Sequence, residues 1–183
     1  MKLCKQTETQ SVYEHGISVK NHMFELINYL ETEKISNNWK LPDWLSEYRI
    51  NILENLLSKD IIEEYTIHHD CGKVYCLIID ENGKRHFPNH AEVSYNTWLN
   101  VGGNIQAAKL MKMDMLIHTM KSIDIDEFIK RPEAITLLLS GLSEAHSNCK
   151  MFGGIESESF KIKWSKINKL GKIICKKLFK EKL

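Results

Sequence analysis

Apolar positions along the chain recur mostly at three- and four-residue steps, the period of a helix that buries one face. Val12, Val19, Met23, Leu26 and Leu30 fall on one side of a helix reaching about Leu30. Ser11-x-x-Glu14 marks its start, since each of these side chains can satisfy the other's backbone N–H. Further helices are expected from about Asp43, behind Pro42, to Leu56, from Ile61 to His68, and from His90 to about Leu99 with Asn89 as cap. Four more follow: Asn104 to Met120, Ile125 to Lys130, Pro132 to about Cys149, and Ser165 to Phe179. One region breaks the pattern. Lys73 to Asp80 is rich in β-formers, Asp80 to Gly83 is a turn signal, and Lys84 to Phe87 follows, so a hairpin is expected. The fold class is therefore all-α, a compact helical bundle with a small inserted β-hairpin at about 74–87.

Composition adds bounds to this picture. The 183 residues are 43% apolar and 27% charged, ordinary for a globular chain long enough to bury a core. No stretch approaches the roughly eighteen apolar residues of a membrane span, and the first ten residues lack a secretory apolar core. The five cysteines (Cys4, Cys71, Cys76, Cys149 and Cys175) are odd in number and scattered, which argues against a disulfide scaffold. A reducing, cytoplasmic setting is expected. No composition shift marks a boundary, so residues 1–183 are expected to form a single domain.

Charge is uneven. Residues 161–183 hold nine lysines and one acid, Glu181, for a net +8, which leaves −7 on the first 160. Phe160 and Trp164, then Leu170, Ile173, Ile174 and Leu178, form an apolar stripe that leads into and runs along this basic segment. The segment is expected to dock as a helix while its lysines face water or a polyanion such as RNA.

Candidate chemistry centres on histidine. His15 lies in the first turn of the first helix, and the adjacent pair His69-Asp70 ends the helix that begins near Ile61. An imidazole nitrogen and a carboxylate oxygen from one turn can reach one ion, and His15 can close the site from another helix. Mixed nitrogen and oxygen donors suit Mn, Fe, Co, Zn or Mg rather than a thiolate site. After the pair come Gly72, which permits close backbone approach, and Lys73, a positive charge suited to a phosphate oxygen. His86, in the hairpin, is a candidate substrate contact. The Cys71-x4-Cys76 spacing is a poor zinc motif, and Cys71 is expected to be buried filler. His68 is expected to point elsewhere, and His22 to be a surface or hydrogen-bonding residue.

His15, the run His69-Asp70-x-Gly72-Lys73 and His90 at a helix start resemble the HD-domain superfamily of metal-dependent phosphohydrolases. The segment Phe87 to Ser94 is similar to HD domains found with tRNA nucleotidyltransferases, and the resemblance covers roughly Val12 to Cys149. It implies an HD-type helical bundle in which His15, His69 and Asp70 bind one metal with a late acid. Glu144 stands where the family has an aspartate, with His146 or Asp114 as alternatives. In members with two metals further histidines contribute, and His90 and His118 stand at those places. One or two divalent ions are thus implied.

The implied activity is hydrolysis of a phosphate ester or diester in a nucleotide or nucleic-acid end, through a metal-activated water. Asp70 and His90 are candidates to move the proton and Lys73 to bind phosphate. Two alternatives stand beside it. One is a metal- or nucleotide-binding module without turnover, the other an RNA-end processing enzyme that uses the basic tail. Nucleotidyl transfer is disfavoured, because the chain lacks the glycine-serine turn and paired-acid strand that such chemistry needs.

Overall fold

A computed structural model describes residues 1–36 and 38–180. It is 65% helical, with one two-stranded antiparallel hairpin, the all-α class expected from the periodicity. The last three residues of the basic tail, including Glu181, lie outside the described residues. Among the described residues no helix is long and apolar enough to cross a membrane.

In chain order the elements are α1 (Val12–Thr32), α2 (Asp43–Glu47), α3 (Arg49–Glu54), α4 (Lys59–His68), α5 (Lys73–Cys76), β1 (Ile78–Ile79) and β2 (Arg85–His86). They continue with α6 (His90–Asn100), α7 (Ile105–Met113), α8 (Leu116–Thr119), α9 (Ile125–Phe128), α10 (Ala134–Ser147) and α11 (Glu158–Phe179). The strands pair Ile78 with His86 and Ile79 with Arg85.

The residues group into two compact units, each drawn from two stretches of chain. The first comprises residues 1–20 and 58–115, the second 21–57 and 116–183. In the first unit the Ser11–Glu14 box forms reciprocally. The Ser11 N–H donates to Glu14 at 2.7 Å, and the Glu14 N–H donates to Ser11 Oγ at 3.2 Å. Glu64 ties α4 to the far end of α6, accepting from Trp98 Nε1 and from the Asn104 N–H, both at 2.6 Å.

The second unit is built on α10, whose residues are buried from Ala134 through Ser143. Gly141 lets Ile117 lie against this helix; an added Cβ would stand 2.6 Å from the isoleucine side chain. Helix α11 packs through Phe160, Ile167, Leu170, Ile174 and Cys175. Gly171 sits flat on the Trp44 ring, where a Cβ would come within 2.4 Å.

Several expectations change in detail. The helix expected from Asp43 to Leu56 breaks at Tyr48, whose backbone leaves the helical region (φ −114°, ψ 22°). The one expected from Asn104 to Met120 divides at Asp114, whose N–H turns to the Met111 carbonyl three residues back. Asn89 does not cap α6; it adopts the left-handed conformation (φ 53°) and its side chain makes no cap bond. Lys73–Cys76 is a helical turn rather than strand, so the hairpin spans only residues 78–86. There the local β-preference yields to bonds that continue the turn, Lys73 N–H to the Asp70 carbonyl and Tyr75 N–H to the Gly72 carbonyl. Helix α11 begins at Glu158, earlier than the expected Ser165, because Ser157 caps it through the Phe160 N–H.

A candidate metal centre

The site is assembled in the first unit from two apolar stripes that each carry one histidine. On α1 the buried positions are Val12, His15, Gly16 and Val19, helical spacing with a polar residue inserted. On α4 and the turn after it they are Ile62, Tyr65, Thr66 and His69, again three and four apart. Gly16 allows the two segments to touch. A Cβ there would lie 2.0 Å from the Ile67 carbonyl oxygen, so only glycine permits this backbone approach. The result is that the His15 and His69 rings meet edge to face, 5.2 Å between centroids.

Asp70 follows His69 in a tight turn and is almost fully buried. Its Oδ2 lies 3.3 Å from His69 Nε2, 3.7 Å from His15 Nε2 and 2.6 Å from Lys73 Nζ. Its Oδ1 lies 3.7 Å from His90 Nε2. Burial pushes the carboxyl's pKa upward, but the charges of His69 and Lys73, the hydrogen bond from His69 and the charge of His15 together hold it well below the ordinary 3.8. Asp70 is therefore a carboxylate at any physiological pH.

Two of the histidines have their tautomer fixed from behind. His69 Nδ1 is 2.9 Å from the Thr66 carbonyl and His90 Nδ1 is 3.1 Å from the Phe87 carbonyl. A carbonyl only accepts, so each Nδ1 carries a proton; the cationic ring also turns an Nε2–H toward Asp70, and loss of that second proton leaves an Nε2 lone pair free for a metal. A carbonyl behind Nδ1 is the support usual for a metal-binding imidazole. Ligand atoms of His15, His69 and Asp70 all lie within 4.8 Å of one another, and this buried group could hold a metal ion.

The turn is braced by α6. The Gly72 N–H donates to Ser94 Oγ at 2.9 Å, and a Cβ on Gly72 would strike the Ser94 nitrogen at 2.3 Å. The Cys71 thiol donates to the Ser94 carbonyl at 3.6 Å, and burial pushes its pKa up to about 11. It is packing behind the site, not a nucleophile. Lys73 is spoken for on two sides: its ammonium donates to Asp70 and, at 3.1 Å, to Gln6 Oε1, beside the Phe87 ring.

The remaining sequence candidates have partners of their own. His86 is on the hairpin, its Nε2 2.7 Å from Asp80, an exposed pair. His118 and Glu144 belong to the second unit and pair with each other at 3.0 Å, partly exposed. His146, also in that unit, has both nitrogens engaged. Nδ1 donates to the Leu142 carbonyl at 2.8 Å, and Nε2 accepts the Lys40 N–H at 3.2 Å. Trp39 stacks on it at 4.1 Å, and burial lowers its pKa to about 4, so it is a neutral core histidine rather than a ligand. Asp114 accepts the Tyr65 hydroxyl at 2.5 Å, and the Tyr65 ring stands edge-on to His69. His68 points away, its Nδ1 on the Glu64 carbonyl and its ring on Trp98.

Sequence reasoning missed Gln6, Gly16, Tyr65 and Ser94. Gly16 had a signal, since it sits beside His15 on the buried stripe; Gln6 and Ser94 had none. No family model, characterised protein or solved structure matches the chain.

Proposed function

We propose that this chain is a metal-dependent phosphohydrolase acting on a phosphate ester of a nucleotide or of a nucleic-acid end. The observation that carries the reading is the buried convergence of His15, His69 and Asp70, two nitrogen donors and one carboxylate within 4.8 Å. Such a donor set fits Mn, Fe, Co, Zn or Mg, and an ion held there would acidify a water and polarise a phosphoryl oxygen. The chain's own groups do the rest. Thr66 keeps His69 in the tautomer that binds. Asp70 holds Lys73 at the edge of the site, where a compact ammonium can balance charge developing on a phosphate. His90, oriented by the Phe87 carbonyl, presents Nε2 beside Asp70 and is placed to take or give a proton. The choice of a nucleotide substrate rests on the resemblance of His69-Asp70-x-Gly72-Lys73 to the HD-domain pattern.

The test combines metal analysis with assays on bis-p-nitrophenyl phosphate and a nucleotide panel in added Mn. Bound metal and turnover are expected, both lost in the His69→Ala, Asp70→Ala double variant, with turnover falling roughly a thousandfold or more. Turnover that survives the double substitution would overturn the reading. A second reading, a binding module without turnover, draws on one contact: Lys73 sits on the Asp70 oxygen nearest both histidines. Stoichiometric metal with no hydrolysis of any substrate in the panel would favour it.

A further inference from the structure

Helix α11 carries a feature that the metal centre does not use. From Lys161 to Lys180 the helix contains no acid. Its apolar stripe is consumed by packing, with Phe160, Ile167, Leu170, Ile174 and Cys175 buried. Opposite that stripe, Lys166, Lys169, Lys172, Lys176 and Lys180 succeed one another at steps of three or four residues, and all are exposed. At 1.5 Å per residue this row extends about 21 Å along a single rigid element.

Local acids do not cancel the row. Lys180 reaches Glu47 at 2.5 Å and Lys166 donates to the His118 carbonyl at 2.6 Å. Lys172 lies in the field of Glu47. Lys169 and Lys176 have no acid partner among the described residues. At its amino-terminal end the row borders an open groove of about 890 Å³ walled by Lys161, Lys166 and Lys169 together with Glu156 and Glu158, where Glu156 pairs with Lys161 at 2.8 Å, so the uncancelled charge lies from Lys169 onward.

We infer that this face is a binding surface for the phosphate backbone of a nucleic-acid duplex. Charge and spacing both favour that occupant. Over about 21 Å of duplex axis each of the two strands carries about six phosphates, so a duplex lying along the row offers enough phosphates for its five ammonium groups. Lysines are point charges that neutralise phosphates without reading bases, so binding is independent of sequence. A single strand would need exposed rings on which to stack. Those of α11 are taken: Phe160 is buried, Trp164 Nε1 donates to the Lys40 carbonyl at 2.7 Å, and Phe179 lies against Tyr48. A membrane surface would require the apolar face of the helix, which is already packed.

The test is fluorescence anisotropy with a labelled 16-base-pair duplex, made as RNA and as DNA, in 50 to 200 mM salt. The full chain is expected to bind both alike, with a log–log salt slope near −4.5 for about five phosphates. The variant K169Q/K172Q/K176Q should lose at least tenfold in affinity at 50 mM and about 2.7 of the slope. K34Q/K84Q/K109Q, which removes the same charge off the row, should lose less than threefold. Circular dichroism confirms that both variants are folded. Equal losses in the two variants would overturn the assignment, as would no duplex binding at 50 mM, or tighter binding to the single strand or to phosphatidylserine vesicles. The outcome is independent of the metal centre, whose loading is measured on the same samples and should be unchanged in both variants.

Discussion

Each of the two units carries a cluster of histidine and acid, and the two clusters differ in what the backbone leaves for the side chains to do. In the first unit, carbonyls hold His69 and His90 through Nδ1, so their Nε2 atoms turn toward one buried carboxylate. In the second, His146 spends both nitrogens on backbone groups, and His118 meets Glu144 as a pair at the surface. Residue type is the same in both. Convergence on Asp70 under burial is what separates a candidate metal centre from a structural histidine and an ion pair.

The largest effect should come from the residue on which the first cluster converges. Asp70→Asn leaves Lys73 and two histidines around a neutral amide, so we expect loss of bound metal and a stability cost of about 3–5 kcal/mol. Metal analysis and urea unfolding measure both, and wild-type metal content in this variant would remove Asp70 from the site. Next is Gly16→Ala. Its methyl would press on the Ile67 carbonyl, forcing α1 and α4 apart at a cost of about 2–3 kcal/mol and weakening metal binding through displacement of His15.

A third effect comes with pH. The pKa of His146 falls from 6.5 to about 4 on folding, so between these values the unfolded chain binds a proton that the folded chain does not. Stability is thus complete above pH 6.5 and drops by about 2 kcal/mol on going to pH 5. His146→Gln should flatten this loss. The contribution of Asp70 has its own window: its folded pKa is the lower one, so its stabilisation holds above 3.8 and is lost only as pH falls further. The smallest effect is expected from His118→Gln with Glu144→Gln. A partly exposed pair is worth about 1 kcal/mol or less, and metal content should stay at the wild-type level. Loss of metal there would place Glu144 in the ligand set.

Much of this arrangement was legible in the sequence, for a physical reason. A helix that must bury one face advertises it by spacing, so α1, α4, α10 and α11 could be located and the all-α class assigned. His15 and His69 were legible because each interrupts such a stripe with a polar residue. The breaks at Tyr48 and Asp114 were not, since they depend on backbone angles and on a tertiary bond to Tyr65 that no local pattern encodes. Lys73–Cys76 read as strand because propensity is a weak local preference, and the bond from Gly72 to Ser94 outweighs it. The bonding of His146 was equally hidden, because Lys40, its partner, lies more than a hundred positions away.

The split composition of the units has a consequence for the order of synthesis. Every residue of the first unit, the candidate metal ligands included, has been made by Met115. The second unit must wait for α10, which supplies Ser143 against Met23, and for α11, which covers Trp44. Until then Met23, on the carboxyl-terminal half of α1, lacks the cover that α10 gives it, and Trp44 lacks that of α11, on a chain still growing. The interval between Met115 and the last turn of α11 is therefore when the nascent protein is most exposed to misassociation.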